Sequence, residues 1–503
     1  MTQGGVIAGR ARALSAPRLL DLTGRARVKR IALGVSAALA ALVFANAVGN
    51  GFVLDDRGVI LGNPLVTSPA TSWRAFMLPY WPVELGGGQY RPLGILSFAL
   101  DWLISGGDAR WFHTVNVLWH VAATVLVWVL AAELLAPMAA AFAATVFAVH
   151  PVHVEAVSNV VGRLEPMAAV FVLLALLAHR KGSYLAPLWF ALALLTKESA
   201  IVLVGLTCAN DLLLEREWRA VFRARRWLYG AYAAVILGFG LVLAAVFRGQ
   251  PMNAPSRTFI GVDTLDRLAI VARVIPHYLR LLVAPVDLSA SYAPDVISPR
   301  SGLTPTGSIG VALLGLFAVV FVVAWRRRWS TMAFALALVP IALAPVSNVF
   351  FPSVVLGERT LYLASVGACL AAGAVAERYL LQRPAWIAAV AASIVVAFGL
   401  RTWTRTPVWH DDRSYVLALL ADHPESYEGH LVAGRVFKAA NALDDADREL
   451  SIARRIFPRD SVIYREAADL AMRQGKPELA QVLRDSARVA ARLPLPNKRS
   501  ASR

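Results

Sequence analysis

Residues 31–57 read IALGVSAALAALVFANAVGNGFVLDDR, an uncharged run over 31–49 followed by two adjacent carboxylates, Asp55 and Asp56. As a helix, the run rises about 28 Å at about 1.5 Å per residue, close to the thickness of a bilayer's hydrocarbon core. Comparable apolar runs recur along most of the 503 residues, which are 57% hydrophobic and only 17% charged. Soluble domains carry nearer a quarter charged residues. The chain therefore reads as an all-α, polytopic membrane protein, and the position of Asp55 and Asp56 places an acidic pair where the chain leaves the membrane.

Candidate spans lie near 31–49, 112–135, 137–149, 166–179, 184–195, 198–214, 227–247, 307–325, 330–346, 361–377 and 384–400, about 11 transmembrane helices. The short ones are expected in protein surroundings instead of lipid. With the basic N-terminus (1–30) cytoplasmic, this count puts Arg180/Lys181, the Arg216–Arg226 run, Arg326–Arg328 and Arg378/Arg383 inside, in keeping with the positive-inside pattern. The outer loops are then 50–111, 150–165, 248–306 and 347–360, with the Thr196-Lys197-Glu198 corner among them and everything after about residue 401 outside. The expected location is a bacterial-type inner (plasma) membrane with the tail periplasmic. Segment 264–284 carries Arg267, Arg273, His277 and Arg280 at helical spacing and reads as an interfacial amphipathic helix, with a twelfth span as the alternative.

The tail, 404–503, is soluble in character. Pro424 and Pro458 lie 34 residues apart, the tetratricopeptide period, and the same offset pairs Gly434 with Ala468, Ala446 with Ala480 and Ala453 with Ala487. Two repeats plus a half-repeat helix at 411–422 are expected, with Phe437 in the seam and a generic helical hairpin as the alternative.

The formal charge of +17 sits mostly in arginines between apolar runs, and no zinc-finger spacing or RNA-binding signature accompanies it, so nucleic acid is excluded as a partner. Cys208 and Cys369 both fall inside apolar runs and read as small core residues, not a disulfide framework. The first apolar stretch is too long for a signal-peptide core and reads as an uncleaved helix.

Four polar constellations stand out. Asp55 and Asp56, flanked by Phe52-Val53-Leu54 and Val59-Ile60-Leu61, form an acidic pair in which one carboxylate raises its neighbour's pKa, as suits a general base. His150-Pro151-Val152-His153-Val154-Glu155 precedes Gly162-Arg163-Leu164-Glu165. Two imidazoles three apart with a nearby carboxylate could bind a metal, but Pro151 breaks the register of a helix-borne pair and no cysteine or third histidine is near, so phosphate or sugar hydrogen bonding and helix capping are the expected roles. Lys197 and Glu198 stand at a helix break, where they are costly unless paired or functional. Gly357-Glu358-Arg359 begins another helix, and Arg359, like Arg91 and Arg163, has the guanidinium that meets phosphate oxygens in pairs. Each of these arginines has a loop carboxylate as its alternative partner.

Together the motifs resemble the C-type (GT-C) glycosyltransferases, and within them the transmembrane and tetratricopeptide-repeat-containing O-mannosyltransferase family. The matching pieces are Phe52-Val53-Leu54-Asp55-Asp56-Arg57, Tyr90-Arg91-Pro92-Leu93, Phe112-His113-Thr114-Val115-Asn116 with His120, and His150-Pro151-Val152-His153 through Gly162-Arg163. Thr196-Lys197-Glu198, Asp287-Leu288-Ser289 near Tyr292, and Gly357-Glu358-Arg359 near Tyr362 complete the series. The repeat array is shorter than is usual for the family, and Leu164-Glu165 varies its acidic continuation.

The resemblance implies a GT-C-like catalytic unit over 31–403 and a TPR-like domain over 404–503. It implies transfer of a mannose-like hexose from a polyprenyl-phosphate donor to an acceptor hydroxyl, protein Ser or Thr, on the extracytoplasmic face, with inversion. Asp55 or Asp56 would be the base, with Asp55 favoured because Arg57 follows Asp56. Arg91, His150, His153, Glu155, Arg163, Lys197, Glu198, Glu358 and Arg359 would bind donor phosphate and sugar. The donor lipid is the implied co-substrate, and a divalent metal is not indicated. Partners are lipid-linked sugar and a protein or glycan acceptor met through the repeats. A glycolipid or polysaccharide acceptor is the alternative within enzymes, and a non-catalytic membrane-anchored repeat scaffold is the alternative outside them.

Overall fold

The computed structural model describes residues 17–82, 87–249, 259, 262–292, 297, 302–350, 354–380 and 384–490, with no strand among them. Most of the basic N-terminal segment and parts of the 248–306 and 347–360 loops lie outside the described residues.

A helix stands at each of the eleven expected positions, but among the described residues only seven are long and apolar enough to cross a bilayer alone. An eighth crossing is made if Pro137–Val149 and Pro151–Ser158, bent by 43°, count as one. The bend has a local cause. His150 precedes a proline and takes an extended backbone (φ −68°, ψ 123°), which a helix cannot continue through. The first helix, Pro17–Val43, starts before the expected span and ends before it too, passing into a 3₁₀ turn over Ala45–Gly49. The short helices Leu185–Thr196 and Ser330–Leu343 reach only about 18–21 Å at about 1.5 Å per residue, and they pack on Leu164–Arg180 and Tyr362–Leu380 respectively. The second pair approaches closely because Gly367 has no Cβ, which would stand 2.6 Å from the Ala335 carbonyl oxygen.

Burial sorts these helices. In Val160–Arg180, 89% of the apolar window is buried, so it is the axis of the bundle. In Trp218–Phe247 and Ala385–Trp409 only 6% is buried, which leaves Leu237, Leu241, Val396 and Leu400 on outward faces suited to lipid. Helix Thr264–Val283 lies along Pro305–Arg326 and does not qualify as a span. Cys369 is buried, but Cys208 is exposed, so the expectation of a core role fails for Cys208.

Beyond residue 405 the packing forms two groups. Helix Asp412–Asp422 shares the core of the membrane unit through Trp409, Tyr415 and Leu419. Helices Tyr427–Ala439, Leu443–Ile456, Ser461–Arg473 and Pro477–Ala490 form a separate core around Leu431, Leu450, Ile463 and Leu483, with Phe437 packed against it. Both hairpins repeat at 34 residues, Tyr427 to Ser461 and Leu443 to Pro477. Their caps repeat as well: Ser426 and Asp460 each accept a backbone N–H at a helix start, and Asn441 and Gly475 both turn through the left-handed region.

Candidate functional site

The loop after the first helix is built from its backbone outward. Leu54 sits at φ +46°, a left-handed conformation that a non-glycine residue adopts only when its surroundings hold it. Asp56 is fully buried, and its carboxylate accepts the N–H of Val53 (3.0 Å) and of Val161 (2.9 Å). Burial pushes this carboxyl up to about 7, against the downward pull of those two donors. Asp56 therefore ties its own loop to the 160–163 turn. Among the described residues no hydrogen bond or ion pair engages the half-buried Asp55 carboxylate, which instead lies in the electrostatic field of Arg359 and Tyr80.

Three ion pairs form a charged cluster, one of which, Arg359–Glu155, shares the field of Asp55. Arg91 meets Glu198 with two parallel bonds, Nε to Oε2 at 2.9 Å and Nη2 to Oε1 at 2.6 Å. Burial alone would raise the Glu198 carboxyl, but this guanidinium overrides it and holds the group down at about 2. Lys197 pairs with Glu165. Arg359 pairs with Glu155, Nε to Oε1 at 3.3 Å, and its N–H adds a bond to Oε2 at 2.9 Å. Arg359 also feels Glu165, and Lys197 feels Arg91, so the pairs form one charged cluster. Glu165, Lys197, Ser199 and Thr360 line a cleft together with Ala168, Val172, Ala342, Val346 and Leu363.

Several residues expected to bind donor are engaged by protein groups. Arg163 is fully enclosed. Its guanidinium bonds Asn116 Oδ1 (2.6 Å), Ser97 Oγ (2.9 Å) and the Phe112 carbonyl (2.8 Å), pairs with Asp101, and lies 4.8 Å from the Phe98 ring centroid. His150 caps the broken helix: its Nδ1 accepts from Val152 N–H, and its Nε2 meets the Leu282 carbonyl at 3.2 Å. His153 is buried with Nε2 on Ser365 Oγ (2.8 Å), and His120 bridges Tyr362 and the Ala148 carbonyl. Glu358 accepts Ser289 N–H (2.6 Å) and Tyr292 hydroxyl (2.9 Å), fixing the 289–292 loop. The motif Asn116 belongs to the same nucleus, with Nδ2 near the carbonyls of Val157, Asn159 and Val160. Gly162 is required there, since a Cβ would stand 2.6 Å from the Glu155 carbonyl oxygen.

Three residues escaped the sequence reading as site members. Tyr80 is buried, its hydroxyl has no hydrogen-bond partner among the described residues, and Arg91 lies 5.3 Å from its ring centroid. Glu165 holds Lys197. Asp412 bonds Leu54 and Arg57 from the far end of the chain. Only Glu165 had a local signal, an acid beside the Gly162-Arg163 motif. Among the described residues, no three His, Cys, Asp or Glu side chains are grouped to hold a metal ion.

Fold and cluster together define a polytopic helical membrane protein with a charged site at one end of its bundle, next to an amphipathic cleft. The chain is similar to the protein O-mannosyl-transferases named TMTC, the family its motifs resemble. It is 24% identical to TMTC3 of Homo sapiens over 82% of its own length and 54% of that protein, and 27% identical to TMTC4 of Homo sapiens over 80% and 63%. It is 35% identical to Tmtc2 of Drosophila melanogaster over 52% of its length and 30% of that protein. The chain thus spans about half the length of the first of these relatives. No family profile and no solved structure matches it.

Proposed function

We propose that this chain is a membrane glycosyltransferase that moves a mannose-like hexose from a polyprenyl-phosphate carrier to a protein Ser or Thr hydroxyl with inversion. The observation that carries the proposal is the contrast inside the acidic pair: Asp56 is bound by two backbone donors, whereas Asp55 is uncommitted and faces Arg359. Asp55 takes the proton from the acceptor hydroxyl as that oxygen attacks the anomeric carbon. The bond from that carbon to the phosphate oxygen breaks on the opposite face, and the electron pair leaves with the lipid phosphate. Arg91, Lys197 and Arg359 offset the charge that develops there, each already oriented by a carboxylate. The cleft joins Lys197, Ser199 and Thr360 to apolar Val172, Val346 and Leu363, a mixed lining that suits a phosphate joined to a hydrocarbon chain.

That the relatives are protein O-mannosyl-transferases supports the sugar and the protein acceptor. The two hairpins that repeat at 34 residues support a tetratricopeptide-like tail that receives acceptor polypeptide. Arg180, Arg326 and Arg378 terminate helices at ends away from Asp55, which supports an extracytoplasmic site with the N-terminus inside. Purified protein given polyprenyl-phosphate mannose and a Ser/Thr peptide is expected to transfer the sugar. Failure with every lipid-linked hexose tested would refute the reading.

A further inference from the structure

We propose that Asp412, on the first tail helix, is a positioning residue for Asp55, so that the tail is a working part of the site and not an appendage. The inference rests on the transferase reading above, and it begins from the strained backbone at Leu54. The residue before Asp55 is left-handed, and what holds it comes from 358 residues away: Leu54 N–H donates to Asp412 Oδ1 at 3.1 Å. The other oxygen, Oδ2, accepts from Arg57 Nε at 2.9 Å and Nη2 at 2.8 Å. One carboxylate therefore grips the loop on both sides of the Asp55–Asp56 pair. Gly51 N–H adds a bond to the His410 carbonyl at 2.8 Å, and a Cβ on Gly51 would already touch that oxygen at 3.4 Å.

Asp412 is not needed to build its own helix. Asp411 is the N-cap, accepting Ser414 N–H at 2.7 Å, and Trp409, Tyr415 and Leu419 anchor the helix in the membrane core. The Arg57 side chain is mostly exposed, so this ion pair adds little to stability. What the grip supplies is geometry. Asp56 fixes the loop from below through Val161, Asp412 fixes it from the tail side, and Asp55 is left directed at the charged cluster. A second tie joins the tail to the 289–292 loop, where Ser291 Oγ bonds Glu428 and the Tyr415 hydroxyl meets the Ala290 carbonyl. A displacement of the tail is thereby felt at the base.

The test uses the full-length protein in nanodiscs. Asp412→Ala is expected to lower kcat about 10- to 100-fold, the scale of a small misplacement of a reacting group. KM for the lipid-linked sugar should stay within about twofold, because Arg91, Lys197 and Arg359 are untouched, and the melting temperature should hold. Asp55→Asn/Asp412→Ala should be no slower than Asp55→Asn alone, since Asp412 acts through Asp55. Asp411→Ala, which removes the cap but not the grip, should lower the melting temperature and keep kcat. An Asp412→Ala kcat within twofold of the parent, or multiplicative losses in the double variant, would overturn the proposal. Hydrogen exchange at residues 51–58 needs no turnover: the Leu54 amide should exchange faster in Asp412→Ala, or in Asp412→Leu, which also lacks an acceptor, if the alanine variant does not insert. Unchanged exchange there would overturn the grip even if the parent transferred no sugar, whereas an inactive parent with faster variant exchange would refute only the transferase reading.

Discussion

The two ends of helix Leu164–Arg180, about 25 Å apart at about 1.5 Å per residue, both carry buried charge but handle it differently. At the far end, Asp211 is bonded by His179 (3.1 Å), Arg225 (2.5 Å), Tyr229 (2.8 Å) and Asn210 (3.0 Å), and Arg180 is held by Glu133 and Asn210. That network is closed on itself and locks four helices. At the Glu165 end Arg91, Lys197 and Arg359 each pair with a carboxylate, the Arg359 side chain is 31% exposed, and among the described residues the Tyr80 hydroxyl and the Asp55 carboxylate have no hydrogen-bond partner. A closed network stabilises; an open one keeps charge available for a reaction. Bundles that bury charge at both ends can therefore be read by asking which end leaves capacity over.

Breaking the open end should cost rate. Asp55→Asn is expected to reduce transfer about 10²- to 10⁴-fold, the usual contribution of a general base, with insertion and melting temperature unchanged. Arg359→Gln should cost about 10²-fold in single-turnover rate, as loss of one charge-stabilising donor does, again without unfolding. Breaking the closed end should cost stability. Asp211→Ala leaves buried His179 and Arg225 without their carboxylate and is expected to lose about 3–5 kcal/mol of stability, measured by thermal unfolding, while the folded fraction turns over within twofold of the parent.

Asp56 sharpens the contrast from inside the acidic pair. Asn at 56 would offer an amide N–H₂ to one of the two backbone donors, a mismatch worth about 1–3 kcal/mol. Asp56 also makes stability depend on pH. Its folded carboxyl is raised to about 7 from an ordinary value of 3.8, so the folded state holds the proton longer. The stability it contributes is full below about 4 and lost as pH rises through 7. Asp56→Asn should remove that slope from the melting-temperature profile between pH 4 and 7.

The helical plan was legible because apolar runs of span length leave a periodic trace in composition. Hydropathy also marked the short runs as needing protein surroundings, as Leu185–Thr196 does; it did not show that the 330–346 run is α-helical only over Ser330–Leu343. Within the site, Lys197, Glu198, Arg91 and Arg359 were visible as ionic residues at helix breaks. Arg163, His150 and His153 carried the same signal and are hydrogen-bonded to Asn116, Leu282 and Ser365; a polar residue inside an apolar run looks alike whether it faces a ligand or a carbonyl. Asp412 and Tyr80 gave no local sign, since each matters only through partners distant in the chain.

The most direct test of the account measures single-turnover sugar transfer, normalised to folded protein, for Asp55→Asn and Asp211→Ala side by side. The account predicts a loss of at least about 10²-fold for the first and parental rate for the second. Equal rates for the two, or a larger loss from Asp211→Ala, would contradict it.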